Sequence, residues 1–256
     1  MNTTNGRLSE RNRAEIERSA EEARKTVLKA VDRTQIDRYR NPPPDTPFAL
    51  EYAFHLLGDI RGRTVLDLGC GTGENIVPLV ESGARVIGMD ISPDLIALAR
   101  KRLDHAKLEA TLDVGSAYDT GLPDESVDVI FCIALVHHLD IGRAVDEMLR
   151  ILAKGGVVIL KEPVRFSRAY AFLRGLLPAR EDVSEFEHPL TREEVTAMTG
   201  RFEVREVRYF RLPFIPLVCG IFPIIRSAAW KVDRWILRHY PAAERYATLV
   251  TMKLQK

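Results

Sequence analysis

Residues 64–79 read TVLDLGCGTGENIVPL, an apolar run that breaks into Gly69, Gly71 and Gly73 within five positions. Glycines this dense give up helix and strand propensity. They belong where the backbone must turn tightly or come close to a ligand. The run before them is a short strand and the text after them is helical, so the loop joins a strand to a helix. The alternation continues downstream. RVIGMD (85–90) reads as a second strand, and SPDLIALARKRLDHA (92–106) as a helix with Ser92 as N-cap and Pro93 in its first turn. EATLDVGSA and VDVIFCIALV give a third and a fourth strand. DIGRAVDEMLRIL reads as a helix stopped at Lys154-Gly155-Gly156, and GVVILKEP as a fifth strand. FEVREVRYF then supplies a sixth strand, and ERYATLVTMKLQK a last one, antiparallel and closing the sheet. Strands alternating with helices of this length predict an α/β fold with a doubly wound, mostly parallel, seven-stranded sheet. Such a sheet binds ligands beyond the carboxyl ends of its strands, which is where the glycine loop falls.

Upstream of the sheet, residues 8–33 are rich in Glu, Arg and Ala and predict a helical arm with a solvated face. NPPPDTP (41–47) is a stiff break, and FALEYAFHLLGDI after it has helical spacing. The expected organisation is an arm over 1–47, a core over 48–164, and an acceptor-side region over 165–256 that holds a helical lid and the closing strands. Of 256 residues, 37 are Lys or Arg and 36 are Asp or Glu, so bulk charge gives no reason to expect nucleic acid. Cys70, Cys132 and Cys219 fit neither a disulfide framework nor a metal-site spacing. With a polar N-terminus, the chain reads as cytoplasmic.

The loop itself narrows the ligand. A dinucleotide fingerprint is G-x-G-x-x-G, whereas this loop is G-x-G-x-G, and no Gly-Lys-Ser/Thr follows to make a P-loop. Asp90 ends the second strand 21 positions after Gly69. A carboxylate there suits the two hydroxyls of a ribose.

VLDLGCGTG, VIGMDISPDLIALAR, GSAYDTGLPDESVDVIFCIALVHHL and EMLRILAKGGVVILKEP, in that order, resemble the motifs of class I S-adenosylmethionine-dependent methyltransferases. The branch resembled is the small-molecule one, of the ubiquinone and menaquinone biosynthesis type. The resemblance covers residues 48–163 closely and implies a Rossmann-like methyltransferase fold with S-adenosyl-L-methionine as cofactor. It implies that Gly69, Gly71 and Gly73 lie against the methionine part and that Asp67 orients the amino group. Asp90 would take the ribose, with Ile91 beside the adenine. Ser116 stands where the family often has an aspartate, which shifts adenine recognition towards the backbone of Ala117. Ile133 would face the cofactor near the reacting centre, and Tyr39 would belong to a lid. The other readings are a nicotinamide-dependent oxidoreductase, disfavoured by the glycine spacing, and a cofactor-binding regulatory protein without turnover.

A methyl carried on a sulfonium is already electrophilic, so the protein's main task is alignment and exclusion of water. A base is needed only where the acceptor loses a proton. His137 and His138 are the candidates, with Glu162 and His188 further acceptor-side positions. LPFIPLVCGIFPII (212–225) is too short and too broken by Pro213, Pro216 and Pro223 to span a bilayer. The helix after it carries Trp230 and Trp235 beside a stripe of Lys231, Arg234 and Arg238. This density predicts a small, apolar or amphipathic acceptor and weak association with a membrane surface.

Overall fold

The computed structural model describes residues 2–28, 32–167 and 188–256. The expected lid over 165–199 falls largely on 168–187, outside the described residues. Two helices, α1 (Asn2–Lys25) and α2 (Arg33–Arg40), precede the Pro-rich turn, where the sequence suggested one helix over 8–33. Asp32 stops that reading: its carboxylate accepts the Thr34 N–H and begins a new helix. α3 (Ala49–Leu57) follows the turn.

The core then runs β1 (Thr64–Leu68), α4 (Ile76–Glu81), β2 (Arg85–Asp90), α5 (Pro93–Ala106), β3 (Thr111–Val114), β4 (Val127–Ile133), α6 (Ile141–Ile151) and β5 (Leu152–Pro163). Ser92 caps α5 as expected, its hydroxyl accepting the Leu95 N–H, with Pro93 at the first position. α6 stops earlier than the glycine pair suggested. The chain is already extended at Leu152, which pairs with Val127, and Gly155 takes a left-handed turn inside the strand. After the undescribed stretch come α7 (Arg192–Thr199), β6 (Glu203–Phe210), α8 (Phe214–Ile221), α9 (Arg226–His239) and β7 (Leu249–Gln255). α8 forms despite Pro216. That proline sits in the first turn, where N–H groups have no intrahelical acceptor to lose.

The seven strands lie in the order β3-β2-β1-β4-β5-β7-β6, and only β7 runs against the rest. Strand order reverses between β1 and β4, which puts the crevice at their carboxyl ends. Side chains alternate between two apolar layers. Val65, Phe131 and Ile159 face α3 and α4, while Leu66, Ile130 and Val158 face α6 and α7. A third cluster, built on Leu212, Ile215, Ala229 and Leu237, seats α8 and α9 beyond the end of β6. No helix among the described residues is long and apolar enough to cross a membrane.

Candidate cofactor site

The glycine loop is a turn tied at both ends. Gly69 and Cys70 donate their N–H groups to Met89 O at 2.8 and 3.0 Å, and Gly71 N–H reaches Asp90 Oδ2 at 2.9 Å. The left-handed φ of +74° at Gly69 excludes other side chains, and a Cβ there would meet Leu135 at 2.9 Å. At Gly71 (φ +52°) a Cβ would meet nothing, so bare backbone faces open space. Arg102, reaching from α5, donates to Thr72 O at 2.8 Å and pairs with Glu74 at 3.2 Å. Sequence reading missed this brace, because an arginine on an amphipathic helix usually reads as solvated.

Above the loop lies a cavity of about 260 Å³. Gly69, Gly71, Asp90, Ile91, Ser116, Ala117 and His138 line it, together with Met89, Leu95, Leu135 and Leu139. Asp90 Oδ1 accepts Ser92 N–H at 3.0 Å, so the carboxylate is held in place by the loop and by the start of α5. The apolar residues on either side suit the flat faces of a base. Asn12, Glu15, Arg18 and Ser19 of α1 close the far wall. Nothing in the repetitive charge of that helix marked them, since its pattern reads equally well as a solvated face.

Asp67 is buried at the end of β1, outside the lining of the cavity, and among the described residues neither carboxylate oxygen has a hydrogen-bond partner. Burial, and then the charge of Asp90, push its pKa up to about 8. A buried carboxylate without a donor is costly, and a bound ammonium group would relieve it. An orphaned acid, bare loop backbone and a strand-end aspartate together fit an amino-acid-bearing nucleoside.

The remaining expected residues divide. Gly73 packs on Ala99 and Ile133 on the α3-side core, and neither lines the cavity. Tyr39 is not brought to it. Its ring stacks on Phe54 at 4.4 Å and its hydroxyl accepts from Gln35, while α1 covers the site instead. His188 pairs with Glu194 at 2.9 Å, beside the capping box that begins α7, and lines a separate hollow. Glu162 is fully buried. One oxygen accepts the N–H groups of Leu135 and Val136, and the other lies 2.7 Å from His137 Nδ1. The His138 ring lies 4.1 Å from that of His137, tilted by 45°, and reaches the cavity, its Nδ1 3.4 Å from Glu15 of α1. Burial raises the pKa of Cys70 and Cys132, so neither is a ready nucleophile.

A family model described as "Methyltransferase domain" matches residues 66–160. A demethylmenaquinone methyltransferase of Thermus thermophilus is 30% identical over 167 residues, covering 56% of this chain and 76% of that protein. A phosphatidylethanolamine N-methyltransferase of Cereibacter sphaeroides is 32% identical over 170 residues, 65% of this chain and 80% of that one. Among solved structures, the cyclopropane synthase MmaA2 of Mycobacterium tuberculosis superposes with a TM-score of 0.58 at 20% identity, covering 81% of this chain and 82% of that chain.

Proposed function

The chain belongs to the class I S-adenosylmethionine-dependent methyltransferases and acts on small molecules; on that premise we propose that its acceptor is lipophilic and is methylated by in-line displacement. The cofactor supplies a methyl group on a sulfonium, ready for a nucleophile. This chain's residues do the rest. Asp90 would hold the ribose hydroxyls, Asp67 the ammonium, and Gly69 and Gly71 the amino-acid stem. Ile91, Leu95 and Ala117 would flank the adenine. α1 keeps water out from above.

One observation carries the lipophilic reading. The α8–α9 segment buries Leu212, Ile215, Ala229 and Leu237 beside the half-buried Trp230 and Ile236, beyond the carboxyl end of β6 and so at the same end of the sheet as the cavity. An apolar wall there suits an apolar substrate. The relatives named for demethylmenaquinone and phosphatidylethanolamine support it, since both words denote lipids. Where the acceptor must shed a proton, the His137–His138 pair takes it. Glu162 orients the first ring, and the second reaches the cavity. The test is methyl-labelled cofactor with fractionated cell extract. Label is expected in the solvent-extractable lipid fraction, and label confined to water-soluble products would sink the lipophilic acceptor.

A further inference from the structure

We propose that the outer face of α9 and the turn before it form a docking surface for an anionic lipid bilayer. The orientation of α9 is fixed from inside. Asp233 is buried and accepts the N–H groups of Arg211 and Leu212 at 3.1 and 2.8 Å, and Ala229 and Leu237 sink beside it. The opposite face must therefore point outwards, and it carries large apolar groups. Trp235 is 52% exposed, and Val232 is exposed beside it. At the start of the helix Ile224 is 98% exposed and Phe222 57%, with Ile225 adjoining. Tyr240 sets its ring edge-on to Trp235, 5.7 Å away. A soluble surface rarely gathers so many large apolar groups, and indole and phenol rings suit a boundary between water and hydrocarbon.

The charge around this patch selects the occupant. Residues 212–240 contain four Lys or Arg and one acid, Asp233, which is turned inwards. Lys231 and Arg238 stand exposed beside the apolar groups, cations suited to phosphate, while His239 is exposed but ties its Nδ1 to Trp235 O at 2.9 Å. Arg234 departs from the expected stripe. It is half-buried, turned towards Arg208 and Tyr52, and does not contribute to the outer face. A second copy of the chain is disfavoured because a two-fold contact would set this basic strip against itself. The surface also lies on the functional edge of the sheet. α8 and α9 connect the end of β6 to the start of β7, and Phe210 and Pro163 both pair with Leu249 there. Docking would thus present the acceptor side of the molecule to the bilayer.

The experiment is cosedimentation with vesicles of phosphatidylcholine, alone or mixed with phosphatidylglycerol. The full chain should sediment with mixed vesicles at low salt and release at high salt. Lys231→Gln with Arg238→Gln should lower partitioning about thirtyfold, from roughly fivefold per charge. Ile224→Asp with Trp235→Ser should abolish it, and both variants should keep wild-type cofactor affinity as a check of folding. Tryptophan emission should shift to the blue on binding in Trp230→Phe but not in Trp235→Phe. Wild-type protein left in the supernatant at low salt, or sedimentation unaffected by the apolar variants, would overturn the proposal. So would self-association in sedimentation velocity that Ile224→Asp with Trp235→Ser removes, since the occupant would then be another copy.

Discussion

At neutral pH most molecules without cofactor keep a proton on Asp67, because burial and the neighbouring Asp90 charge hold its pKa at about 8 against an ordinary 3.8. A cation bound there must displace that proton. Cofactor affinity should therefore rise up to tenfold per pH unit between about pH 6 and 8 and level off above, and Asp67→Asn should flatten the profile. Titration calorimetry in buffers of different ionisation enthalpy would count the proton released; an affinity independent of pH would place the ammonium elsewhere. Stability of the cofactor-free chain follows the opposite sign. Between about pH 4 and 8 the folded state holds a proton that the unfolded state lacks. The Asp67 contribution is thus fully present below pH 4 and is lost as pH rises through 8. The histidines form the other residue-scale case. His138→Ala and His137→Ala should each slow methyl transfer by about 10²–10⁴, with cofactor affinity kept in His137→Ala, whose ring does not line the cavity. Unchanged single-turnover rates in both would leave alignment as the whole of the chemistry.

Among elements, α1 has the plainest consequence. It packs against α5 and otherwise covers the cavity, so its removal should cost binding more than fold. A chain beginning at Asp32, which keeps the cap of α2, should keep its unfolding midpoint within a few degrees and bind cofactor at least tenfold more weakly, read by calorimetry. Equal affinity would show that the helix is not part of the site. This element also marks the boundary of what the sequence disclosed. β1, β2, β4, α5 and the loop between β1 and α4 were legible because each is specified by its own neighbours: an apolar run, a Ser-Pro cap, three glycines. The end of α6 was not, since pairing of Leu152 with Val127 overrides the local stop at the glycines. Nor was the choice of cover. On paper Tyr39 belonged to the lid and α1 to solvent, and only tertiary packing sends the tyrosine onto Phe54 and the helix to the cavity wall. Arg234 failed for a related reason: helical spacing gives a stripe, while the direction in which the stripe faces is set by Asp233.

Over the whole molecule, the entry to the core is tied to the far edge of the sheet by Arg208 and by Tyr52, whose hydroxyl donates to Glu206 at 2.9 Å. Arg208 of β6 donates to the carbonyls of Pro44 and Thr46, residues more than 160 positions away, and lies over the rings of Tyr52 and Phe210 at 4.4 and 4.7 Å. Burial and Arg234 lower its pKa to about 10, still charged under ordinary conditions. Arg208→Ala leaves two carbonyls and a void, and should cost about 2–4 kcal/mol in urea unfolding, with Arg208→Lys recovering only part. A loss under 1 kcal/mol would mean that the Pro-rich turn is held by other contacts. The strand order carries a consequence of another kind. β7 lies between β5 and β6, so β6 has no partner in the sheet until the last strand arrives. A ribosome making this chain releases 203–210 long before 249–255. During that interval the rim of β5 stays unzipped and the greasy turn at 222–225 hangs beside it. A chain released after Tyr246 should be clipped readily by protease across 203–246, whereas the chain that carries β7 should resist cleavage there.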